Sequence, residues 1–446
     1  MCYSSWSMNF TSKQIWLINY PVMMSVLVEQ LINITDAIFL GHVGETELGA
    51  SAIAGMYYLS LYILGFGFSL GLQVMIARRN GEQRPAETGK VFFQGLFFLT
   101  TLAATLFGLS KIFTPSILQR LLTSPEIYEA VIQYLDWRTF GLLFAFPMLA
   151  FRAFFVGITR TRILTVSAVT LASMNVLLNY LLIFGTGKIS AQGISGAAMA
   201  STISELGGLL VLISYTRFKI DKQHYGLLAI FYKRLMGQLF RLSVWSMMHS
   251  FISVAPWFLF FILIEHLGTT QLAIANIIRS ISTIFFVIVS SFSTTTGSLV
   301  SNLAGARERK QIMPLCRKII RLGYILGIPL ITIALLFPHT VMGIYTPDKQ
   351  LVQLAFWPFV VMLSNYLLSL PAHIFCNAVS GTGATRAAFI YQCITIVIYL
   401  IYLFCIKQFG EVPLAVYWTS EHLYVLLLFL FSWFHLKRTK ERIVKL

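Results

Sequence analysis

Apolar runs, cut by short stretches of charge, glycine or proline, follow one another from end to end of the chain. Most are near the roughly 20 residues that a helix needs to cross about 30 Å of hydrocarbon. Bounded by those interruptions, they predict twelve spans, at 15–40, 51–77, 91–112, 131–157, 164–185, 194–216, 239–265, 271–303, 319–343, 351–379, 387–407 and 413–435. The most charged and irregular interior stretch, Arg217 to Gln238, falls between spans six and seven. The expected organisation is an N-terminal six-helix lobe (1–216), a cytoplasmic linker (217–238) and a C-terminal six-helix lobe with a basic cytoplasmic tail (239–446).

The pattern also repeats, at one fixed offset of 224 residues. Gly41-His-Val-Gly44 after the first span matches Glu265-His-Leu-Gly268 after the seventh, Gly81 matches Gly305, and Gly157 with Thr161-Arg162 matches Gly381 with Thr385-Arg386. Agreement in register across three separated loops is hard to attribute to apolar composition. The fold class expected is an all-α polytopic membrane protein, its twelve transmembrane helices in two pseudo-symmetric six-helix lobes. Because six is even, both copies enter the membrane in the same direction and form a parallel repeat that can rock about a central cavity.

Composition narrows the class. The 446 residues are 57% hydrophobic and 11% charged, against roughly 25% charged in soluble domains, which excludes a water-soluble fold. The net charge of +16 would suit nucleic acid if the basic residues formed a stripe with stacking aromatics, but they do not. Most of the 33 Lys and Arg fall instead in alternate loops: 77–90 (Arg78, Arg79, Arg84, Lys90), the Arg160/Arg162 turn, 217–241, 304–321, Arg386 and the tail from Lys437. This positive-inside asymmetry puts those loops and both termini in the cytoplasm. The expectation is a monomeric multi-pass protein of the inner (cytoplasmic) membrane, with the lipid bilayer as surroundings and no nucleic-acid partner. The five cysteines (Cys2, Cys316, Cys376, Cys393, Cys405) have no paired spacing and read as small apolar fillers. No small-residue cleavage site follows a short apolar segment at the N-terminus, so the first span itself is expected to target the chain.

The chemistry should lie where charge is embedded, because a carboxylate in hydrocarbon costs about 2.5–3.5 kcal/mol on insertion scales. Of the 17 acids, five fall well inside the spans: Glu29, Asp36, Asp136, Glu205 and Glu421. Asp136 has Arg138 two residues on and reads as a structural pair or a snorkelled surface position; Glu205 and Glu421 have no embedded basic neighbour in sequence and stay as candidates. Glu29 and Asp36 are seven apart, hence on one helical face about 10 Å apart along the axis. Pro21, earlier in the same span, removes an internal hydrogen bond, so a kink there makes this helix a candidate gate. Asn175 and Asn179 are one turn apart and offer amides on one face, either for interhelical hydrogen bonding or as oxygen donors beside one carboxylate.

With these residues in place, the chain resembles the multidrug and toxic compound extrusion (MATE) transporters over nearly its whole length. The resemblance rests on the twelve spans in two halves, Pro21 … Asp36-x(4)-Gly41-x(2)-Gly44 in the first span, Asn175-x(3)-Asn179 in the fifth, and Gly193-x(2)-Gly196-Ala-Ala-x-Ala-Ser201 opening the sixth. It implies that Asp36 is the cation-coupling acid of the N-terminal lobe, joined by Asn175, Asn179, Ser201 and the Ala197 carbonyl, a set that could take Na⁺. The chain departs from the family where Asn179 replaces a second acid found in some members, which favours a proton over Na⁺. Glu29 stands where relatives often carry glutamine and reads as a second proton site or a contact for cationic drugs. Acids that the NorM-like branch carries in spans seven and ten correspond here to Ser253 and Ser369. His249 and His373, one turn from those serines, are titratable candidates or core histidines. The aromatic side chains of the seventh span (Trp245, Trp257, Phe258, Phe260, Phe261) could hold flat cations at about 0.5–2 kcal/mol each, or simply pack.

The function so implied is secondary antiport: small organic, cationic drugs exported in exchange for H⁺ or Na⁺ by alternating access through Asp36, with no cofactor beyond the coupling ion. A flippase for lipid-linked sugars of the same superfamily is the alternative, but few basic residues (Arg138, Arg152, Arg279) stand in or at the ends of the spans to hold pyrophosphate. A membrane enzyme would require a nucleophile and base at catalytic spacing, and no HExxH, GxSxG or phosphate loop occurs. With no ATPase motif, transport must draw on ion gradients.

Overall fold

The computed structural model describes residues 10–122, 124–185, 190–265, 267–344, 349–410 and 412–444, and among them no strand occurs. The helices are α1 (Ser12–Gly41), α2 (Glu45–Gly81), α3 (Pro85–Leu121), α4 (Pro125–Arg138), α5 (Leu142–Gly157), α6 (Arg162–Phe184), α7 (Gly193–Lys219) and α8 (Lys233–Ile252). They continue with α9 (Ala255–Glu265), α10 (Thr269–Gly305), α11 (Ile312–Leu336), α12 (Pro338–Gly343), α13 (Lys349–Gly381), α14 (Thr385–Gln408) and α15 (Leu414–Val444). Among the described residues, twelve segments are long and apolar enough to cross a membrane, and each predicted span falls on one of them.

The departures have local causes. The seventh span is broken into α8 and α9, because Pro256 has no N–H to continue the ladder; the Ser253 N–H still reaches the His249 carbonyl and its hydroxyl donates to the Ser250 carbonyl. The fourth span starts earlier than expected, at Pro125, where the Ser124 hydroxyl accepts the Ile127 N–H as an N-cap. It then passes through a 3₁₀ turn, Thr139–Gly141, between α4 and α5.

By its contacts the chain gathers into two compact units, one Met24–Met247, the other Met1–Met23 with Met248–Leu446. The divide falls inside α1, two residues after Pro21, and inside α8, at positions 224 apart. In the first unit α6 lies along α7, and α2 packs on α3, α4 and α5. In the second, α14 lies along α15, and α10 packs on α13. The duplication reaches single residues. Gln83 and Arg307, 224 apart, both take left-handed backbone (φ 58° and 62°) where α2 and α10 turn back, and Thr159 and Gly383 (φ 60° and 92°) repeat this after α5 and α13. A methyl on Gly157 would stand 2.7 Å from Ile76, and one on its counterpart Gly381 3.1 Å from Val300, the counterpart of Ile76. The same helix crossing is thus built twice.

The linker after α7 is pinned to α3 within its own unit. The Gly89 N–H donates to the Tyr225 carbonyl at 2.9 Å, while the Gln94 side chain donates to the Ile230 carbonyl and accepts from the Tyr232 N–H.

Candidate cation-coupling site

Three helices of the first unit bring together Asp36 (α1), Asn175 and Asn179 (α6) and Ser201 (α7). Asn179 Nδ2 donates to Asp36 Oδ1 at 2.5 Å and to Asn175 Oδ1 at 3.0 Å; Ser201 Oγ donates to Asp36 Oδ2 at 3.0 Å and accepts from Asn175 Nδ2 at 3.1 Å. Both carboxylate oxygens therefore accept from neutral donors. The two asparagines are fully buried and Ser201 nearly so, whereas Asp36 is partly exposed. Asn179 Oδ1 is buried and has no partner among the described residues. Ala197, one turn before Ser201 on α7, is fully buried. The i, i+4 spacing of the asparagines puts both amides on one face, and a single turn separates Ala197 from Ser201 in the same way.

Around this cluster stand ion pairs that the sequence does not announce. Arg138, at the end of α4, donates from Nη2 to Glu205 Oε1 on α7 at 2.8 Å, both side chains being largely buried (14% and 11% exposed). Its guanidinium carbon lies 3.6 Å from the centroid of the Tyr58 ring, and the Tyr58 hydroxyl donates to both oxygens of Glu205. Gly141 makes room: a Cβ there would come within 2.3 Å of Glu205 Oε2 and 2.5 Å of Arg138 Nη1. Asp136 pairs instead with Lys111 of α3, at 2.7 Å in an exposed setting. Glu29 accepts from Arg152 Nη1 of α5 at 2.8 Å and is itself 43% exposed, against 11% for the arginine. Pro21 lies within α1, which continues through it from Ser12 to Gly41.

His249 and His373 belong to the other unit. His249 Nε2 is 3.6 Å from Cys376 Sγ, and His373 Nδ1 meets the Ser369 carbonyl at 2.9 Å and its hydroxyl at 3.3 Å. Trp257 stacks on Phe261 and meets Trp418 edge-on, Phe260 is fully buried, and Arg279 lies over Phe261 at 5.0 Å. The side chain of Phe258 lies outside the described residues.

The fold and this arrangement define a multi-pass membrane protein built from a duplicated six-helix unit with carboxylates set among its helices. The MatE family profile matches residues 21–181 and 246–431, and the chain belongs to that family. A probable multidrug resistance protein NorM of Agrobacterium fabrum is 26% identical over 69% of this chain and 66% of its own length. A probable multidrug resistance protein YoeA of Bacillus subtilis is 22% identical over 75% of this chain and 74% of its own. Among solved structures, an outward-facing multidrug resistance MATE family transporter of the MOP superfamily has the same fold (TM-score 0.89, 16% identity, 96% of this chain and 97% of that one). The eukaryotic MATE transporter AtDTX14 does too (TM-score 0.81, 16% identity, 97% and 98%). These relatives carry transporter or drug-resistance names, and the protein is a transporter rather than an enzyme.

Proposed function

We propose that this protein is a multidrug exporter that works as a secondary antiporter, exchanging small organic cations for protons by alternating access, with Asp36 as the coupling acid. The observation that carries the reading is the set of donors on Asp36: an amide N–H and a hydroxyl, with no basic side chain bonded to it among the described residues. Such a carboxylate is held by neutral donors, with the Arg138 charge acting on it from a distance, and has no bound counter-ion to release before it takes one up.

The network also says how a proton would be received. A protonated Asp36 oxygen becomes a donor and needs an acceptor. Asn179 Nδ2 cannot accept, but the Ser201 hydroxyl can rotate to do so while still accepting from Asn175. Loss of the negative charge removes the attraction for a cationic drug, so proton binding and drug release are linked, and reciprocity requires that the drug weaken proton binding by the same factor. Ala197 completes the set by position, and Na⁺ in place of H⁺ would call on the free Asn179 Oδ1. Glu29, half exposed beside Arg152, would tune the charge met by the drug; Pro21 would let α1 respond to Asp36.

The bases within the spans favour this over a flippase of lipid-linked sugars. Arg138 and Arg152 each spend their charge on a carboxylate and Arg279 covers a phenylalanine ring, which leaves little to hold a pyrophosphate. We place the protein as a monomer in the cytoplasmic membrane, with both termini inside, on the distribution of basic loops. The test is efflux of a fluorescent cation from proteoliposomes under H⁺ and Na⁺ gradients imposed separately. Asp36→Asn should abolish gradient-driven exchange while the protein stays monodisperse; wild-type exchange by that variant refutes the mechanism.

A further inference from the structure

A second buried carboxyl stands in the other unit. Glu421 of α15 is 6% exposed, and its Oε1 accepts from the Tyr399 hydroxyl of α14 at 3.0 Å. Behind it the Gln392 amide of α14 donates to the Tyr424 hydroxyl of α15. Five buried polar atoms on the same two helices have no partner among the described residues: Gln392 Oε1, Thr395 Oγ1, Trp418 Nε1, His422 Nδ1 and Ser432 Oγ. Residues 392, 395 and 399 share one face of α14, and 418 and 421 share one face of α15. The Tyr399–Glu421 and Gln392–Tyr424 hydrogen bonds join these two faces.

The place matters as much as the chemistry. Through the 224-residue offset, α14 and α15 correspond to α6 and α7, Tyr399 stands where Asn175 does, and Glu421 where Ala197 does. The counterparts of Asp36, Asn179 and Ser201 are Phe260, Leu403 and Val425. In this repeat the first-helix acid has become a buried ring, which packs on Trp418 at 5.0 Å, and a carboxyl has appeared on the last helix of the equivalent layer. Serines, not acids, occupy 253 and 369. From this geometry we infer that Glu421, with Tyr399 as its hydrogen-bonding partner, is a proton-binding site of the C-terminal unit, the counterpart of the Asp36 cluster built from different residues.

The groups facing Glu421 are neutral. Helix α14 brings Tyr399 and α15 itself brings Tyr424. Cys376 of α13 lies near Tyr424 and 3.6 Å from His249 Nε2 of α8, while His422 of α15 meets the Ser364 hydroxyl of α13 through Nε2 and its Nδ1 has no partner among the described residues. Helix α9 offers the Pro256 carbonyl, 3.5 Å from the Tyr399 hydroxyl, and the rings of Trp257 and Phe260. Among the described residues no cation is paired with Glu421. A carboxyl so placed carries its charge at high cost in hydrocarbon, and one proton removes that cost without further ligands. That this proton is moved in the transport cycle rests on the antiport reading above; that Glu421 binds it does not.

The test is infrared spectroscopy of the protonated-carboxyl stretch, titrated with pH, on purified full-length protein in lipid nanodiscs. Wild type should show a titrating band that is lost in Glu421→Gln and kept in Asp36→Asn, with a midpoint unmoved when NaCl replaces choline chloride. Tyr399→Phe, which keeps the carboxyl, should displace that band and its midpoint, and serves if Glu421→Gln does not fold. Spectra of Glu421→Gln that match wild type at every pH, a band unmoved by Tyr399→Phe, or a band that NaCl abolishes at fixed pH would each overturn the assignment. In proteoliposomes under a gradient of one pH unit, loss of one coupled proton lowers drug accumulation by about tenfold. If Asp36→Asn still exchanges while the Glu421 band titrates, the transport reading fails and the site stands.

Discussion

Replacing Glu205 alone should destabilise the N-terminal unit far more than replacing Glu205 together with Arg138. The guanidinium is held by a 2.8 Å bond to Glu205, by the Tyr58 ring and by the neighbouring Tyr134. In Glu205→Leu the cation stays largely buried with the Tyr58 ring and the neighbouring Tyr134 to compensate it, the ring being worth about 2 kcal/mol in a desolvated setting. Breaking one side of a buried pair typically costs about 3–5 kcal/mol, and the retained ring places this case near 3 kcal/mol, with the Tyr58 hydroxyl losing its acceptor as well. Glu205→Gln keeps an acceptor for both donors and should cost roughly half as much. In Arg138→Met/Glu205→Leu both charges leave together, and apolar replacement of a whole buried pair is often neutral or better. The double-mutant cycle, read by unfolding of detergent-solubilised protein, should therefore give a coupling of at least about 3 kcal/mol, the cost of the single Glu205 replacement that the second one removes. Additive losses, with the double variant the least stable of the set, would show that the two side chains do not act as a pair and would sink the reasoning.

The exposed pair gives the contrasting case: Asp136 and Lys111 are 60% and 34% exposed, so Asp136→Asn should change stability by less than about 1 kcal/mol in the same assay, and a loss as large as that of Glu205→Leu would contradict it. In the linker, the Asp221 carboxylate accepts the backbone N–H of His224 and of Gln223, and these bonds hold its pKa below the ordinary carboxylate value. The stabilisation of this turn is thus complete above the ordinary carboxylate pKa and is lost as pH falls through the lowered one. Hydrogen exchange at His224 and Gln223, corrected for its intrinsic pH dependence, should lose protection over that acid range in wild type and show no such step in Asp221→Ala; a pH-independent ratio between the two proteins refutes it.

How far the sequence reaches depends on the distance between the residues that must meet. The twelve spans and the repeat were legible because apolar length and a fixed offset are properties of one stretch read against another, and the same offset reappears in the backbone at Gln83 and Arg307. The asparagine face of α6 was legible because residues 175 and 179 are one turn apart, and Asp36 because an acid embedded in an apolar run needs a reason. The ion pairs were not, since Arg138 and Glu205 come from α4 and α7 and only folding sets them side by side. Sequence neighbours pointed Asp136 toward Arg138; the fold gives Asp136 to Lys111 and Arg138 to Glu205. A usable signal did exist. Embedded charges of opposite sign must find one another wherever hydrocarbon surrounds them, and the buried arginines 138 and 152 each require an acid from the short set Glu29, Asp36, Asp136, Glu205 and Glu421. Lys111 takes Asp136, Glu205 and Glu29 answer the arginines, and Asp36 and Glu421 are left over. Among the described residues, the two carboxyls with no basic side chain bonded to them are the two for which a proton is proposed above, one in each unit, and charge pairing within the membrane is the criterion that singles them out.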